Sequence, residues 1–536
     1  MQLKIDASED KLRGGFYTPQ KIAEFILKWT LGNGDGKSIL EPSCGDGIFF
    51  KALSESEYKF ESILGIEFKE EEAKKSDAIK LKNKTILHGD FLDFCLHTEK
   101  RFDTIIGNPP YIRYQFLDKK QHSYASSIFD RAGLKYSKLT NAWVSFVVGS
   151  SLLMTENSRM AFVLPAELLQ VGYAATLRNY LAKTFNSIYI VSFQKLVFPD
   201  IQQEVVLLFC EKNSSGTHLI EHIEMKDASA LSDLDLKAIS TNKQINFESD
   251  KWTTYFLDQR EIDFLEKVKK DIRLKRISDY AHVEVGITTG ANPYFTVPLS
   301  TVEQYNLKEY ARPLVGRSVQ VPSIVFTKGD WEMNRNNNNV RSHLLVFPAL
   351  KQMTDNLGAL EYLNHGVKDE INKGYKCQIR EEWQIIPSIR LSDALFIRRN
   401  NLFPKLIINE AKAYTTDTMH RVSIKEGIDI NAFVASYYNS LSLAFSELCG
   451  RSHGGGVLEL MPNEVENIIL PYHDNNGNLL KKIDRYIRDK KDMSDILKLT
   501  NKHILIDNFG FTQEDVDLAD SIWKKLQKRR LLRGKG

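Results

Sequence analysis

The chain has 536 residues, 42% of them hydrophobic and 26% charged, and its 72 lysines and arginines nearly balance its 69 aspartates and glutamates. These values are typical of a globular protein of two or three domains, and they indicate no particular partner. Five scattered cysteines without a CxxC pair exclude a zinc ribbon, argue against a disulfide framework and fit a reducing cytoplasm, and the lack of any apolar run of about 18 residues predicts no membrane span.

The first 210 residues alternate short apolar runs with helical patterns, which predicts an α/β domain. A helix is predicted over residues 14–31, with Thr18 as its N-cap and Pro19 at its first position. Six strands are predicted, over residues 37–42, 62–67, 85–90, 103–108, 159–165 and 204–210. Each gap between the first four has room for one helix, so we expect a doubly wound, Rossmann-like parallel sheet.

The pattern changes after about Lys212. Residues 211–244 are polar and weakly periodic, which predicts an excursion or a linker region. From about Glu261, helical patterns mix with irregular Asn-rich and Gly-rich segments, so we expect a mixed α+β domain and divide the chain into domains 1–260 and 261–536. Two basic runs, residues 481–492 and 524–536, fit solvated helix faces better than polyanion sites.

Polar residues follow each of the first four predicted strands. The carboxyl ends of such strands form the edge at which open α/β sheets bind ligands, so these residues are expected to share one site. Glu41, Ser43 and Gly45 follow the first strand in the loop EPSCGDG, whose glycines let backbone N–H groups approach a carboxylate closely. Glu67 ends the second strand, where a carboxylate can accept hydrogen bonds from both hydroxyls of a ribose.

The third and fourth strand ends complete the series. Asp90 can accept a hydrogen bond from an adenine amino group, and Phe91 can pack on the ring. In the tetrapeptide Asn-Pro-Pro-Tyr after the fourth strand, the Asn108 side chain and the Pro109 carbonyl can accept hydrogen bonds from an exocyclic NH2 group while Tyr111 stacks on its ring. Each feature alone also fits a helix cap or a turn. Together and in this order they describe S-adenosylmethionine beside a nucleobase.

These segments resemble the motifs of the gamma class of N6-adenine DNA methyltransferases. The strings GFYTP, LEPSCGDG, GIE, GDF, GNPPY and VFP follow the order of that class within residues 11–210. The resemblance implies S-adenosylmethionine as cofactor, with Tyr17 and Thr18 near its carboxylate, Glu67 on its ribose and Asp90 on its adenine. It also implies a methyltransferase catalytic domain followed by a target-recognition domain.

The same resemblance also implies how the methylated base would be bound. Tyr111 and Phe198 would hold an adenine flipped out of double-stranded DNA, and Asn108 would bind its N6 atom. Phe198 can equally be a core residue. The region after Glu261 would read the DNA, with candidate contacts at Arg317, Arg335, Arg341, Arg398 and Arg399. We expect a cytoplasmic monomer without a metal site, and the resemblance leaves room for a cognate restriction endonuclease encoded separately.

Three alternatives remain open. A fused restriction–modification enzyme would need a nuclease site, which Asp393 with Glu410 and Lys412 outlines loosely. A protein-glutamine methyltransferase would also bind a planar NH2 group through Asn-Pro-Pro-Tyr. A DNA-binding scaffold without catalysis would not need these side chains. Cys44 follows Ser43 and not a proline, so it is interpreted as a small packed residue and not as a cytosine-C5 nucleophile.

Overall fold

The computed structural model describes residues 18–32, 37–195, 197, 204–213, 217–239, 243, 245, 251–353 and 355–532. The chain divides into two units, one ending at Ile262 and the other beginning at Asp263. This division and the one drawn from the sequence both fall in the helix Gln259–Lys270. Within the described ranges, no helix is both long enough and apolar enough to cross a membrane.

An eight-stranded sheet forms the centre of the first unit. Its strands are β1 Ser38–Glu41, β2 Ser62–Glu67, β3 Lys84–His88, β4 Phe102–Gly107, β5 Met154–Pro165, β6 Ser187–Phe193, β7 Val205–Glu211 and β8 Leu219–Met225. Their spatial order is β3-β2-β1-β4-β5-β7-β6-β8. The pairs are parallel except at β7, which runs antiparallel to β5 and β6. The strand order reverses between β1 and β4, and open α/β sheets bind ligands at such a switch point.

Helices flank this sheet in the order that the βαβ pattern predicts. They are α1 Gln20–Leu31, α2 Ile48–Ser54, α3 Glu70–Ala78, α4 Phe91–His97, α5 Lys119–Arg131, α6 Ala142–Leu152 and α7 Ala175–Thr184. The buried face of α1, including Ile22 and Ile26, joins the core formed with the sheet. The predicted cap of α1 is wrong by one position: Pro19 is the N-cap, because its carbonyl accepts hydrogen bonds from Ile22 (3.0 Å) and Ala23 (3.2 Å).

All six predicted strands are present, and the doubly wound sheet is confirmed. Two further strands, β6 and β8, were not predicted. The β8 strand lies inside the stretch interpreted as an excursion or a linker region, so the linker interpretation is wrong for residues 219–225. β8 lies at the edge of the sheet and pairs with β6 alone, and its side chains alternate between buried and partly exposed. Its outward polar residues therefore resemble those of a loop.

The second unit mixes short sheets with helices, as the sequence predicts. Its strands are β9 Lys275–Arg276, β10 Ala281–Val285, β11 Thr296–Val297, β12 Ala311–Pro313, β13 His343–Leu345, β14 Ala394–Ile397, β15 Arg399–Asn400, β16 Leu406–Ile408, β17 Met419–Ile424, β18 Arg451–His453, β19 Val457–Glu459 and β20 Ile469–Leu470. They form sheets of order β10-β17-β14-β16, β11-β13-β12, β15-β19-β18 and β20-β9.

The helices after β8 are α8 Gln259–Lys270, α9 Ile277–Tyr280, α10 Asn292–Phe295, α11 Leu299–Gln304, α12 Lys328–Arg335, α13 Leu357–Lys368, α14 Tyr375–Gln378, α15 Ile430–Tyr437, α16 Ser440–Cys449, α17 Pro462–Glu466, α18 Leu480–Arg488, α19 Met493–Thr500 and α20 Gln513–Leu532. Ile483 and Ile487 of α18 are buried, whereas Lys481, Lys482 and Arg485 are exposed. In α20, Ile522 and Trp523 are among the buried residues. Within the described part of the second run, Leu526 is buried whereas Lys524 and Lys525 are exposed, so the described parts of both runs lie on helices with exposed basic residues.

Candidate active site

A cavity of about 490 Å³ lies at the carboxyl ends of β1 to β4, within the usual size range of small-molecule sites. The predicted residues that line it are Thr18, Glu41, Ser43, Gly45, Glu67, Asp90, Phe91 and Asn108. Pro109 and Tyr111 are not part of its wall, although Pro110 between them is. Tyr17 and Phe198 lie outside the described residues.

The glycine loop after β1 is held against the end of β2. Gly45 and Gly47 have φ values of 51° and 87°, in the left-handed region that favours glycine. The N–H of Gly45 donates to the Glu67 carboxylate (2.9 Å), and the Ser76 hydroxyl donates to the Gly45 carbonyl (2.6 Å). At Gly47 an added Cβ would lie 2.6 Å from Cδ1 of Ile79. The loop conformation therefore depends on glycine and places the Glu67 carboxylate beside the loop backbone.

Glu41 is a buried carboxylate that lines the cavity. Its side chain is 1% exposed, and within the described structure its Oε2 atom has no hydrogen-bond partner. Burial first, and then the charges of Glu67 and Asp46, raise the pKa of this carboxyl well above its ordinary value. A buried carboxylate without a partner is costly, so this atom indicates that a ligand with a donor group belongs beside it.

The cavity wall carries an excess of negative charge. The described residues that line it include one lysine, Lys69, against the carboxylates of Glu41, Asp46, Glu67, Glu72, Asp90 and Asp118. Burial followed by the Glu72 charge raises the pKa of Asp46, as expected where carboxylates crowd together. Such a wall favours a cationic ligand. S-adenosylmethionine carries a positively charged sulfonium and an ammonium group. The carboxylate acceptors and the negative charge of the cavity wall therefore fit this cofactor.

Asp90 serves both the fold and the cavity. Its Oδ1 atom accepts a hydrogen bond from the Leu92 N–H (2.8 Å) and so caps α4, while the residue also lines the cavity. The buried Phe91 ring packs on Phe146, with ring centroids 5.1 Å apart. Phe146 and Phe68, which is 65% exposed, add aromatic surface that the sequence interpretation did not identify. Phe68 directly follows Glu67, whereas Phe146 lies far from the four strand ends in the sequence.

The Asn-Pro-Pro-Tyr turn is fixed at both ends. The Ser43 hydroxyl donates to the backbone carbonyl of Asn108 (3.2 Å), linking the turn to the glycine loop. The Tyr111 hydroxyl donates to the carbonyl of Val163 in β5 (3.1 Å), and its half-buried ring packs against the core. Burial raises the pKa of the Tyr111 phenol well above its usual value. Tyr111 therefore lies beside the cavity with its hydroxyl anchored in the sheet.

The side chains considered for a cytosine-C5 nucleophile or a nuclease site do not form either arrangement in the described structure. Cys44 is buried in the core and also lines the cavity, and burial raises the pKa of its thiol, so its interpretation as a packed residue stays a prediction. Glu410 and Lys412 lie in a turn after β16 and not on a strand, and Lys412 has φ 48°. The Asp393 carboxylate accepts a hydrogen bond from the Ile424 N–H (3.0 Å). In the described part of the chain, no group of three or more His, Cys, Asp or Glu side chains is placed to hold a metal.

The fold and the cavity define an S-adenosylmethionine-dependent methyltransferase. Residues 38–198 match the family model of the Eco57I restriction-modification methylase, and residues 249–505 match that of the C-terminal domain of the Type II methyltransferase M.Eco57I. The chain belongs to the family of Type II DNA methyltransferases of restriction–modification systems. Its substrate is therefore DNA, and its methyl donor is S-adenosylmethionine.

Curated relatives extend this match along the chain. The Type II methyltransferase M.AccI of Acinetobacter calcoaceticus is 27% identical over 519 residues, covering 92% of this chain and 90% of that protein. M.XamI of Xanthomonas campestris pv. amaranthicola is 20% identical over 474 residues, or 86% of each chain. The Type II restriction enzyme and methyltransferase RM.Eco57I of Escherichia coli is 23% identical over 294 residues, covering 52% of this chain and 27% of that protein.

Proposed function

We propose that this DNA methyltransferase transfers a methyl group to the N6 atom of an adenine in double-stranded DNA. The observation that carries the proposal is the position of the Asn-Pro-Pro-Tyr turn. Asn108 and Pro110 line the same cavity as Glu67 and Asp90, so an acceptor amine at the turn would lie next to a cofactor held by the carboxylates.

Residues of the first three strand ends would hold the cofactor. Glu67 would accept hydrogen bonds from the ribose hydroxyls, and Asp90 would accept one from the adenine amino group. The unpartnered oxygen of Glu41 would accept a hydrogen bond from the ammonium group. Thr18 lines the same cavity, and Tyr17 precedes it in the chain. When bound, S-adenosylmethionine supplies an electrophilic methyl group on a sulfonium.

The turn itself would prepare the acceptor. The lone pair of an adenine amine is delocalised into its ring, which makes the amine a weak nucleophile. Hydrogen bonds accepted by the Asn108 side chain and by the Pro109 carbonyl would favour a pyramidal nitrogen and localise that pair. Holding the reacting atoms in line supplies on the order of 7–11 kcal/mol in favourable cases. The face of Tyr111 would add roughly 0.5–2 kcal/mol as positive charge develops.

The adenine must leave the duplex to reach this turn, at a cost of a few kcal/mol. Tyr111 and Phe198 would stack on the extruded base, and the second unit would hold the DNA and read its sequence. Of the arginines suggested as DNA contacts, Arg398 and Arg399 both pair with Glu459, with a shortest distance of 3.0 Å in each case. We therefore favour the other arginines of this set for contacts with base edges.

Analysis of methylated nucleosides tests this proposal. The purified chain is incubated with plasmid DNA and S-adenosylmethionine, and the digested DNA is analysed by mass spectrometry, with the Asn108→Ala variant as the inactive control. We expect N6-methyladenine as the methylated nucleoside. N4-methylcytosine as the product, or methyl label in protein and not in DNA, would refute the proposal. The proposal also includes a monomeric state, a cytoplasmic location and a restriction endonuclease encoded separately. Cleavage of DNA by this chain on adding Mg²⁺ would contradict the separate endonuclease.

A further inference from the structure

The segment after the Asn-Pro-Pro-Tyr turn forms one wall of the cavity. We call residues 112–117 the acceptor-side segment, and its cavity-lining members are Ile112, Phe116 and Leu117. Its one regular element is a single 3-10 turn, Tyr114–Phe116. The two prolines before it have no N–H groups and cannot donate hydrogen bonds that would hold the chain. The position of this wall therefore depends on contacts from other elements.

Two hydrogen bonds attach the acceptor-side segment to the start of α6. The Ala142 N–H donates to the Ile112 carbonyl (3.0 Å), and the Tyr114 N–H donates to Oδ1 of Asn141 (3.1 Å). Ala142 itself lines the cavity. The start of α6 thus holds the segment through one backbone contact and through one side chain, that of Asn141.

Asn141 uses its side chain in an unusual way for its position. It is the N-cap residue of α6, where an asparagine normally accepts a hydrogen bond from its own helix, yet it makes no such bond. In the described part of the chain, the other Asp and Asn N-caps of α-helices with a recorded cap all bond their own helix: Asp90, Asp118, Asn356, Asp429, Asn439 and Asp492. Asn141 therefore gives up the stabilisation of a cap, and its amide bridges two other groups.

Tyr173 and Glu167 fix the direction of that bridge. The Tyr173 hydroxyl donates to the Glu167 carboxylate, and the Nδ2 group of Asn141 donates to the same hydroxyl oxygen (2.8 Å). A hydroxyl has one proton to donate, so when Tyr173 donates it in a hydrogen bond to Glu167, its oxygen can only accept from other groups. Asn141 must then turn its NH2 group to Tyr173 and its oxygen to Tyr114. Burial and the neighbouring Glu167 charge raise the pKa of Tyr173, so its phenol keeps its proton.

We propose that Glu167, Tyr173 and Asn141 form a hydrogen-bond relay that positions the acceptor-side segment for methyl transfer, with Asn141 as the positioning residue. The acceptor role of the segment rests on the proposed function, whereas the relay rests on contacts within the first unit. Methyl transfer is sensitive to the placement of the acceptor, because a displacement of about 1 Å can cost on the order of 100-fold in rate. The relay should therefore affect turnover far more than cofactor binding.

Four variants test the relay and a fifth serves as control. Asn141→Ala removes the bridge, Tyr173→Phe removes its oxygen, and Glu167→Leu removes the acceptor, while Glu167→Gln keeps a side-chain oxygen able to accept from Tyr173. Tyr180→Phe is the matched control, since the Tyr180 hydroxyl is also hydrogen-bonded to α6, but to Ser151 near the end of that helix (2.7 Å) and not to Asn141 at its start. For each full-length variant, kcat and KM for DNA, the Kd of S-adenosylhomocysteine and the melting temperature are measured.

We expect Asn141→Ala to lower kcat roughly 10- to 100-fold, with an unchanged Kd for S-adenosylhomocysteine and little change in melting temperature. Tyr173→Phe and Glu167→Leu should lower kcat in the same way, Glu167→Gln should recover most of the loss, and Tyr180→Phe should leave kcat as it is. Wild-type kcat in both Asn141→Ala and Tyr173→Phe would overturn the relay. Parallel losses of ligand affinity and melting temperature in both variants would also overturn it, because they would show a general structural role.

The relay and the proposed function can fail separately. The kcat series is measured on whichever base the wild-type enzyme methylates. If the wild type methylates cytosine and the variants still lose kcat, the relay stands and the adenine assignment falls. If the wild type produces N6-methyladenine and the variants turn over normally, the relay falls and the adenine assignment stands.

Discussion

Replacing Glu41 with glutamine tests the electrostatics of the cofactor cavity. The Glu41 carboxyl is almost fully buried, and burial together with Glu67 and Asp46 raises its pKa well above the ordinary value. Glutamine keeps the shape of the side chain and removes its charge. We therefore expect opposite effects: the ligand-free variant should be more stable at neutral pH, and it should bind S-adenosylmethionine more weakly.

The sign of the stability effect follows from the raised pKa. Between the unfolded pKa of glutamate, about 4.3, and the higher folded value, the folded protein binds more protons than the unfolded chain. The free energy of unfolding of the wild type therefore falls as the pH rises through this window, and below it the carboxyl has no effect. Glutamine does not titrate, so the advantage of Glu41→Gln should be absent at low pH and grow as the pH rises.

The size of the binding effect comes from the bond that is lost. A hydrogen bond to a charged group contributes about 1.5–3 kcal/mol, and 1.4 kcal/mol corresponds to about tenfold in affinity. We expect Glu41→Gln to weaken S-adenosylmethionine binding by roughly 10- to 150-fold. The assays are calorimetric titration with the cofactor and thermal melts of the ligand-free protein over a pH series.

The matched control is Glu70→Gln, which changes the net charge equally at an exposed residue paired with Lys74 (2.8 Å). It should leave cofactor affinity unchanged. The hydrogen bond and charge of Lys74 lower the pKa of Glu70, so any effect of this variant on melting should be a loss at neutral pH that disappears at low pH, opposite in sign to the gain expected for Glu41→Gln. Wild-type cofactor affinity in Glu41→Gln, together with a melting curve parallel to wild type at every pH, would refute the electrostatic reasoning.

Three further predictions concern the turn and the glycine loop. Asn108→Ala should abolish methyl transfer to DNA, measured with tritiated cofactor, while calorimetry shows retained cofactor binding; normal turnover would contradict its acceptor role. Tyr111→Ala should reduce the fluorescence rise of 2-aminopurine placed at the target base, and a wild-type signal would count against stacking. Gly47→Ala should lower the free energy of unfolding by about 2–3 kcal/mol, because its Cβ would meet Ile79 at 2.6 Å. Gly133→Ala, also at positive φ but with nothing within 4 Å, should cost only about 1–2 kcal/mol, and equal losses would refute the steric argument.

The strand ends of the first unit could be predicted because their signals are local. Each apolar run identifies a strand, and the topology of parallel sheets brings the carboxyl ends of neighbouring strands to one edge. Glu41, Glu67, Asp90 and Asn108 needed no knowledge of tertiary contacts to be placed together, and all four line the cavity. Whether each binds the ligand assigned to it stays a prediction.

Other features could not be predicted because they depend on residues far apart in the chain. The Tyr111 hydroxyl is anchored by Val163, 52 positions away, and the Phe91 ring packs on Phe146. Periodicity and turn patterns describe neighbours within a few residues and carry no information about such pairs. The edge strand β8 was missed for a related reason, since its identity depends on pairing with β6.

Asp90 and Asn141 show that a residue at a helix N-cap can have a role beyond capping its helix. Asp90 caps its helix through Leu92 and lines the cavity at once, so its capping bond says nothing against a functional role. Asn141 stands at an equivalent helix position, but its amide is used between Tyr114 and Tyr173. A sequence can show that a residue is able to cap a helix, but not that its side chain is bonded elsewhere. That second fact, seen only in the folded chain, is what marks Asn141 as a positioning residue.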